Sequence, residues 1–364
     1  MQEKLPSIRW GIVATGLISS WFVEDIVMSR PDAKVNHIVT AIGSSSLDKG
    51  RAFAREHCPT HSPAIYGSYQ EVYDDPNVDL VYIGTPHGFH KQNCLDAIAA
   101  GKNVFCEKAF TLNARDAKEV FAAAKRKNVY VAEAMWLRHR PLVHDLRRML
   151  HKEKVIGEIF RAFSDFGNDK DVPNLPETSR YRQSALGAGS LLDLGIYSLT
   201  WIIMALEPES PERTERPMIL ASQTHWEDIE LMTSAIIRYP SGRQGVVTST
   251  TLTNGNPDML ARIHGVNGSV EVHGSCPSAP VAFTVYPKFT GESGEDAVRG
   301  QGTTYKYPVP GRGYQFEADS AALDVLAGRK ESWVMPWSET IRVLEMMDEM
   351  RRQGGTRYEA DGDD

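Results

Sequence analysis

A carboxylate and a phenol stand four residues apart in the run Leu191-Leu-Asp193-Leu-Gly-Ile-Tyr197. On a helix that spacing puts both on one face. An acid among leucines is costly unless it has a partner or a task, and the tyrosine hydroxyl beside it can pass a proton. The competing reading is a buried Asp–Tyr hydrogen bond that only fixes the core. A second pair, Glu107-Lys108, closes the apolar run Asn103–Cys106. If that run is a strand of a parallel sheet, Lys108 enters the crevice at the strands' carboxyl ends. Glu107 would then hold its position and charge. The plain alternative is a surface ion pair at a strand end.

Other residues suit an anion. The run Ile8–Val13 leads into Ala14-Thr15-Gly16-Leu17-Ile18-Ser19. Aligned on a dinucleotide fingerprint, Gly16 is the glycine that admits a pyrophosphate. A helix beginning at Leu17 would point its N–H groups at those phosphates. Ala14 and Ser19 stand where the fingerprint has its other glycines, so this turn alone divides evenly between a cofactor cradle and an ordinary strand–turn–helix. The second strand ends in Ser44, Ser45 and Ser46, followed by Lys49. An NAD site usually places an acid there to hold the ribose 2′-hydroxyl. Hydroxyls and a cation suit the 2′-phosphate of NADP, and Asp48 falls in a helix's first turn, where it serves the dipole. Thr85, Pro86, His87 and His90 line the loop where the cofactor's ribose and nicotinamide would pass. Neither His87 with His90 nor His57 with His61 has a Cys or carboxylate to complete a ligand set, so no metal site is expected.

These residues need a frame. From Ile8 to Ala132, strand patterns alternate with helix patterns: Ile8–Val13, Leu17–Ser29, Val35–Ile42, Leu47–His57, Asp79–Gly84, Gly88–Ala100, Asn103–Cys106, Ala114–Lys127 and Val129–Ala132. This predicts a doubly wound parallel sheet, a Rossmann domain over 1–135. Beyond Trp136 the texture changes. A helix (Pro141–His151) and a strand (Glu158–Phe166) precede a polar segment, Asn168–Ser184, and the apolar helix Leu191–Leu206. Strand patterns follow at Ile219–Trp226, Thr233–Tyr239, Gln244–Thr251, Leu260–His264, Ser269–His273 and Val281–Tyr286. Turn signals at Ser241-Gly242 and Asn267-Gly268 mark hairpins. Two helices, Tyr314–Ala327 and Trp337–Arg352, close the chain. The expectation is an α+β domain over 136–358 with a large, mostly antiparallel open sheet, then a disordered acidic tail, 359–364.

With 364 residues, a formal charge of −7 and no basic block, the chain has no face for nucleic acid or an anionic membrane. Its four cysteines are scattered without a CxxC spacing, so zinc and thiol-redox motifs are absent. The start shows no signal-peptide pattern. Leu191–Leu206 holds an acid and is short for a membrane span. A reducing, cytoplasmic setting is expected.

Several segments carry a family resemblance: Arg9–Gly16, Asp79–His90, Ala100–Lys108, Ala134-Met-Trp136-Leu-Arg138 and Gly187–Tyr197. Over nearly its whole length the chain resembles the glucose–fructose oxidoreductase/inositol dehydrogenase (Gfo/Idh/MocA) family, in its dimeric dihydrodiol dehydrogenase branch with the fungal D-xylose-oxidising members. The resemblance implies a homodimer joined through the second-domain sheet and NADP as cofactor. It also implies hydride transfer from a carbon-bound hydroxyl of a small sugar or cyclic diol, with oxidation of D-xylose at C1 the best single expectation. Lys108 matches the lysine of the family's Glu-Lys-Pro motif, with Ala109 in place of Pro. Asp193 and Tyr197 match its Asp-x-Gly-x-His motif, with Tyr as the branch's acid/base. Trp136 and Phe166 fall at substrate-pocket positions, and Trp136 and Arg138 lie in a segment that resemblance sets beside the cofactor. The same fold includes a dinucleotide-binding transcriptional co-repressor without catalysis, and reductases of secondary metabolism. Retention of Lys108 and Tyr197 favours an enzyme.

Overall fold

The computed structural model describes residues 5–208, 215–291 and 297–362. The chain divides into two compact units, Met1–Arg140 with Val309–Arg342, and Pro141–Pro308 with Val343–Asp364. The first unit is therefore not a single stretch ending near residue 135, because Val309–Arg342 returns to it.

In the first unit, strands β1 (Ser7–Val13), β2 (Asn36–Gly43), β3 (Ala64–Tyr66), β4 (Leu80–Ile83), β5 (Asn103–Glu107) and β6 (Val131–Ala134) form a six-stranded parallel sheet. Their order is β3-β2-β1-β4-β5-β6, the doubly wound Rossmann order. Helices α1 (Leu17–Val27), α2 (Leu47–His57), α3 (Tyr69–Asp74), α4 (His87–Ala99) and α5 (Ala114–Lys127) connect them. All four residues of β4 are buried, as a strand covered on both faces requires. Phe22 of α1 stacks on Tyr82 of β4 at 3.9 Å and meets Trp10 of β1 edge-on at 5.2 Å. β3 and α3 lie in a stretch with no clear period. Only the capping box of Ser68 and Glu71 announces them.

Buried polar groups hold the returning segment. Asp25 of α1 accepts the backbone N–H groups of Arg312, Gly313 and Tyr314 at 2.7–3.0 Å, capping α8 (Tyr314–Leu326) from outside that helix. Asp319 of α8 meets Arg30 at 2.5 Å and His37 Nε2 at 2.9 Å. Trp10 Nε1–H donates to His37 Nδ1 at 3.0 Å. The indole can only donate, so the His37 proton sits on Nε2 and is given to Asp319. Thr340, in α9 (Trp337–Gly354), donates its hydroxyl to Glu133 of β6 at 2.9 Å.

Glu133 also accepts the Phe110 N–H at 3.1 Å. Burial outweighs these bonds and pushes its carboxyl up to about 7. Glu317 is fully buried, its oxygens meet no donor among the described residues, and burial raises it well above the carboxylate range. A carboxyl raised on folding binds its proton more tightly folded than unfolded. Its stabilising contribution is complete below the unfolded value near ~4.3 and is lost as pH climbs through the folded value. The melting temperature should therefore fall between pH 5 and pH 8, and Glu133→Gln should flatten part of that fall, leaving the share due to Glu317. Parallel melting curves for wild type and variant across that range would contradict the assignment.

In the second unit, α6 (Pro141–His151) precedes β7 (Ile159–Gly167), and β8 (Met218–Trp226), β9 (Ile229–Arg238), β10 (Gln244–Thr250), β11 (Ala261–Gly265), β12 (Gly268–Gly274), β13 (Pro280–Pro287) and β14 (Thr303–Lys306) follow. They make one eight-stranded sheet, β14-β13-β12-β11-β7-β10-β9-β8. It is antiparallel except for the β7–β10 pair. One face is covered by α7 (Ile196–Leu206), every residue of which is buried. A Cβ on Gly245 would come within 2.1 Å of Ile202, so this glycine lets α7 lie close on the strands. The other face carries a cross-strand row of Leu220, Ile236, Val246 and Phe163 in register. Leu220 and Ile236 are exposed, and Arg161 and Arg262 lie over the Phe163 ring. The tail is ordered further than expected: Arg351 holds Asp361 at 2.6 Å and Tyr358 is buried, its hydroxyl donating to the Ala188 carbonyl. Asp363 and Asp364 lie outside the described residues.

Candidate active site

The candidate residues of the first unit collect at the carboxyl ends of its strands. After β1, Ala14 adopts a left-handed backbone with φ 75, a conformation glycine tolerates better. Its N–H donates to the Gly43 carbonyl at 3.1 Å, tying this turn to the end of β2. Gly16 is the N-cap of α1, with no side-chain cap and no acid in the first turn. A Cβ built on Gly16 would meet nothing within 4 Å. Leu17 is exposed, and Ile18 and Ser19 follow in the same turn. A Cβ on Gly84, just after β4, would come within 2.3 Å of Ser19 Oγ. The close strand–helix approach that a third fingerprint glycine provides is thus supplied by Gly84. Open space over Gly16 and an uncapped, acid-free helix start fit a dinucleotide's pyrophosphate.

The three serines divide. Ser44 is buried and its hydroxyl meets that of Thr15 at 2.9 Å, so it latches two loops together. Ser46 caps α2, its hydroxyl accepting the Lys49 N–H at 3.3 Å. Only Ser45 is exposed and uncommitted to backbone, with Lys49 Nζ at 3.5 Å. Asp48 faces Arg51 at 3.0 Å. Of the set expected to read a 2′-phosphate, Ser45 and Lys49 remain.

Pro86 is the N-cap of α4. Thr85 Oγ1 accepts from Asn93 at 3.0 Å. His87 Nε2 lies 3.1 Å from the Lys108 carbonyl. His90 is fully buried, with Nδ1 2.9 Å from the Ala109 carbonyl and Nε2 2.7 Å from that of Thr85. A neutral ring can donate to only one of them, while burial pulls the imidazole pKa down. Glu107 is buried, accepting from Tyr82 Oη at 2.8 Å and from the Lys108 N–H at 3.3 Å. The Lys108–Ala109 peptide is cis. These loops brace the backbone around Lys108 from α4 and β5. Among the described residues no group of three or more His, Cys, Asp and Glu could hold a metal ion.

Two predicted cofactor residues serve structure. Arg138 is buried and paired with Glu339, anchoring the returning segment. Trp136 stacks on Tyr314 at 4.4 Å with the Arg140 guanidinium 4.5 Å from its ring, which leaves 7% of it exposed.

In the second unit, Leu191–Gly195 forms a π-helical turn that runs into α7. Such turns recur at functional sites, and this one carries Asp193. Its support, Glu230, carries no linear signature. From β9, Glu230 accepts the Leu191 N–H at 2.8 Å and hydroxyls of Ser190 at 2.6 Å and Thr233 at 2.8 Å. Its burial raises its pKa. Tyr197 is buried beside Phe166, ring centroids 5.8 Å apart. Asp193 faces Arg180 Nη2 at 3.4 Å. An acid inside an apolar helix demands a cation, and the polar segment before it holds three, Lys170, Arg180 and Arg182.

A doubly wound sheet with an anion-ready helix start, followed by a large open sheet, defines a dinucleotide-binding oxidoreductase of two-unit build. Residues 8–135 match the oxidoreductase family with NAD-binding Rossmann fold, and residues 143–271 match the GFO/IDH/MocA C-terminal domain. The chain belongs to the Gfo/Idh/MocA oxidoreductase family. It is 33% identical to D-xylose 1-dehydrogenase (NADP(+)) of Hypocrea jecorina, over 97% of this chain and 93% of that protein. It is 31% identical to trans-1,2-dihydrobenzene-1,2-diol dehydrogenase of Sus scrofa, over 98% and 99%. Among solved structures, levoglucosan dehydrogenase with NADH and levoglucosan superimposes with a TM-score of 0.80 at 19% identity, over 96% of this chain and 97% of that one. Aldose–aldose oxidoreductase from Caulobacter crescentus gives 0.76 at 19% identity, over 96% and 98%.

Proposed function

We propose that the protein is an NADP-dependent dehydrogenase that oxidises a carbon-bound hydroxyl of a small sugar or cyclic diol, with D-xylose at C1, yielding the lactone, as the first substrate to test. The observation that carries this reading is full-length similarity to a D-xylose 1-dehydrogenase in a chain that keeps Lys108 and Tyr197. A nicotinamide cofactor held at the turn from Ala14 to Ile18 would supply the hydride acceptor for the carbinol carbon. Tyr197 takes the hydroxyl proton. A free phenol, with pKa ~10, is a poor base, and the Lys108 ammonium favours its phenolate. The cradle is the turn from Ala14 to Ile18, with Thr85, Pro86 and the histidine-braced backbone before Lys108. Assaying NADP⁺ reduction against a panel of aldoses and cyclic diols tests the reading; an enzyme inert towards all of them overturns it.

Ser45 and Lys49 support NADP over NAD. Kinetics with each cofactor should give a higher kcat/KM for NADP⁺, and Lys49→Glu should lower that value more than the one for NAD⁺. Equal wild-type values for the two cofactors would sink the proposal.

We further propose a cytoplasmic homodimer joined through the open sheet face of the second unit. The exposed row of Leu220 and Ile236, with Met218 and Met232 also exposed, is the kind of patch that a second copy covers. Sedimentation at micromolar concentration should show twice the 40.5 kDa chain mass; a particle of one chain would contradict it. All four cysteines are unpaired thiols, as a reducing compartment favours.

A further inference from the structure

Arg180 does more than neutralise Asp193. Its ring neighbour Tyr181 packs against the buried cluster of Val172, Ala188, Ile229 and Leu231. The Arg180 guanidinium lies 4.2 Å from the Tyr181 ring centroid, a contact that restrains it. A structural Arg–carboxylate pair usually closes two parallel N–H···O bonds. Here one nitrogen, Nη2, serves both the Asp193 carboxylate at 3.4 Å and the Tyr181 hydroxyl at 2.9 Å. Among the described residues no acceptor meets Nε or Nη1, and 39% of the side chain is exposed, against 14% for Asp193.

A guanidinium donates only, and an ionised carboxylate accepts only. Side by side they match a group that does both. Adjacent hydroxyls on neighbouring carbons are such a group: one gives its proton to the carboxylate while its neighbour's oxygen accepts from the guanidinium. A sugar acid matches less well, because its own carboxylate meets Asp193. We propose that Arg180, with Asp193, is the specificity-determining element that binds a vicinal diol of the substrate and selects neutral polyols. This rests on the function proposed above and narrows its substrate class.

The test is steady-state kinetics with NADP⁺ on wild type, Arg180→Gln and Arg180→Lys, using D-xylose and its 2-deoxy and 3-deoxy analogues. A site built to hydrogen-bond a hydroxyl rejects the analogue lacking it strongly. Wild type should lose about tenfold or more in kcat/KM on at least one deoxy analogue. Arg180→Gln should raise KM for D-xylose by a similar factor, treat that analogue and D-xylose alike, and keep its ratio for the other. Arg180→Lys keeps the charge beside Asp193 without the planar fork. It too should fail to discriminate that analogue from D-xylose, which keeps the test decisive if the Gln variant does not fold. If both variants keep the wild-type deoxy ratios, whether or not kcat falls, Arg180 only supports Asp193 and the proposal fails. A wild type inert on every aldose and diol overturns the function reading itself, a different result from active variants with unchanged ratios.

Discussion

Tyr197→Phe should lower kcat by roughly 10²–10⁴-fold, the contribution of a well-placed acid/base group. The substitution removes one oxygen and keeps the ring that packs beside Phe166, so the fold and cofactor affinity should survive. Lys108→Met should also cut kcat. Groups that act as a unit are strongly non-additive, so the double variant should be little worse than the worse single one. A Tyr197→Phe enzyme retaining more than about half of wild-type kcat, far above what loss of such a group permits, removes Tyr197 from the role. Asp193, His87 and His90 would then be the candidates. Multiplying single-variant losses would instead show that Lys108 and Tyr197 act separately.

Gly16→Val should abolish tight cofactor binding while leaving the apo protein folded. The Gly16 backbone has φ −84 and ψ 179, extended geometry that any residue adopts, and a Cβ there meets no atom of the described residues beyond its chain neighbours within 4 Å. Nothing among the described residues requires glycine at this position. In the proposed site, the requirement would come from a pyrophosphate that approaches the backbone at the start of α1. Cofactor titration should show a loss of at least about tenfold in affinity, equivalent to ~1.4 kcal/mol, with an apo melting temperature within a few degrees of wild type. Unchanged affinity would mean that the pyrophosphate lies elsewhere. A collapsed apo melting temperature would mean that Gly16 serves the fold after all.

The parallel sheet is legible because its strands are short apolar runs separated by amphipathic helices, as the fully buried β4 shows. The second sheet is legible from alternation along β9, where Met232, Ser234, Ile236 and Arg238 are exposed between buried neighbours. β3 and α3 are too short to show a period. The roles of single polar residues are harder to read. Ser44, Ser45 and Ser46 look alike in sequence, yet one latches a loop, one caps a helix and one faces solvent. Arg138 lies next to site residues but is committed to Glu339, 201 positions away. Glu230 and Arg180 escape a linear reading for the same reason. Each acquires its role from a partner that only the folded chain brings near.

The return of Val309–Arg342 to the first unit bears on how this gene can be cut and recombined. A fragment ending at Arg140 would leave Asp25 without the N–H groups it caps, Arg138 without Glu339, and Trp136 without the ring stacked on it. It would combine a bared apolar surface with unpaired buried charges, a recipe for aggregation rather than autonomous folding. A chimera that exchanges the nucleotide-binding module with a relative therefore needs three crossovers, near residues 140, 309 and 342. Single-crossover libraries should be depleted of soluble members wherever the junction separates α1 from α8.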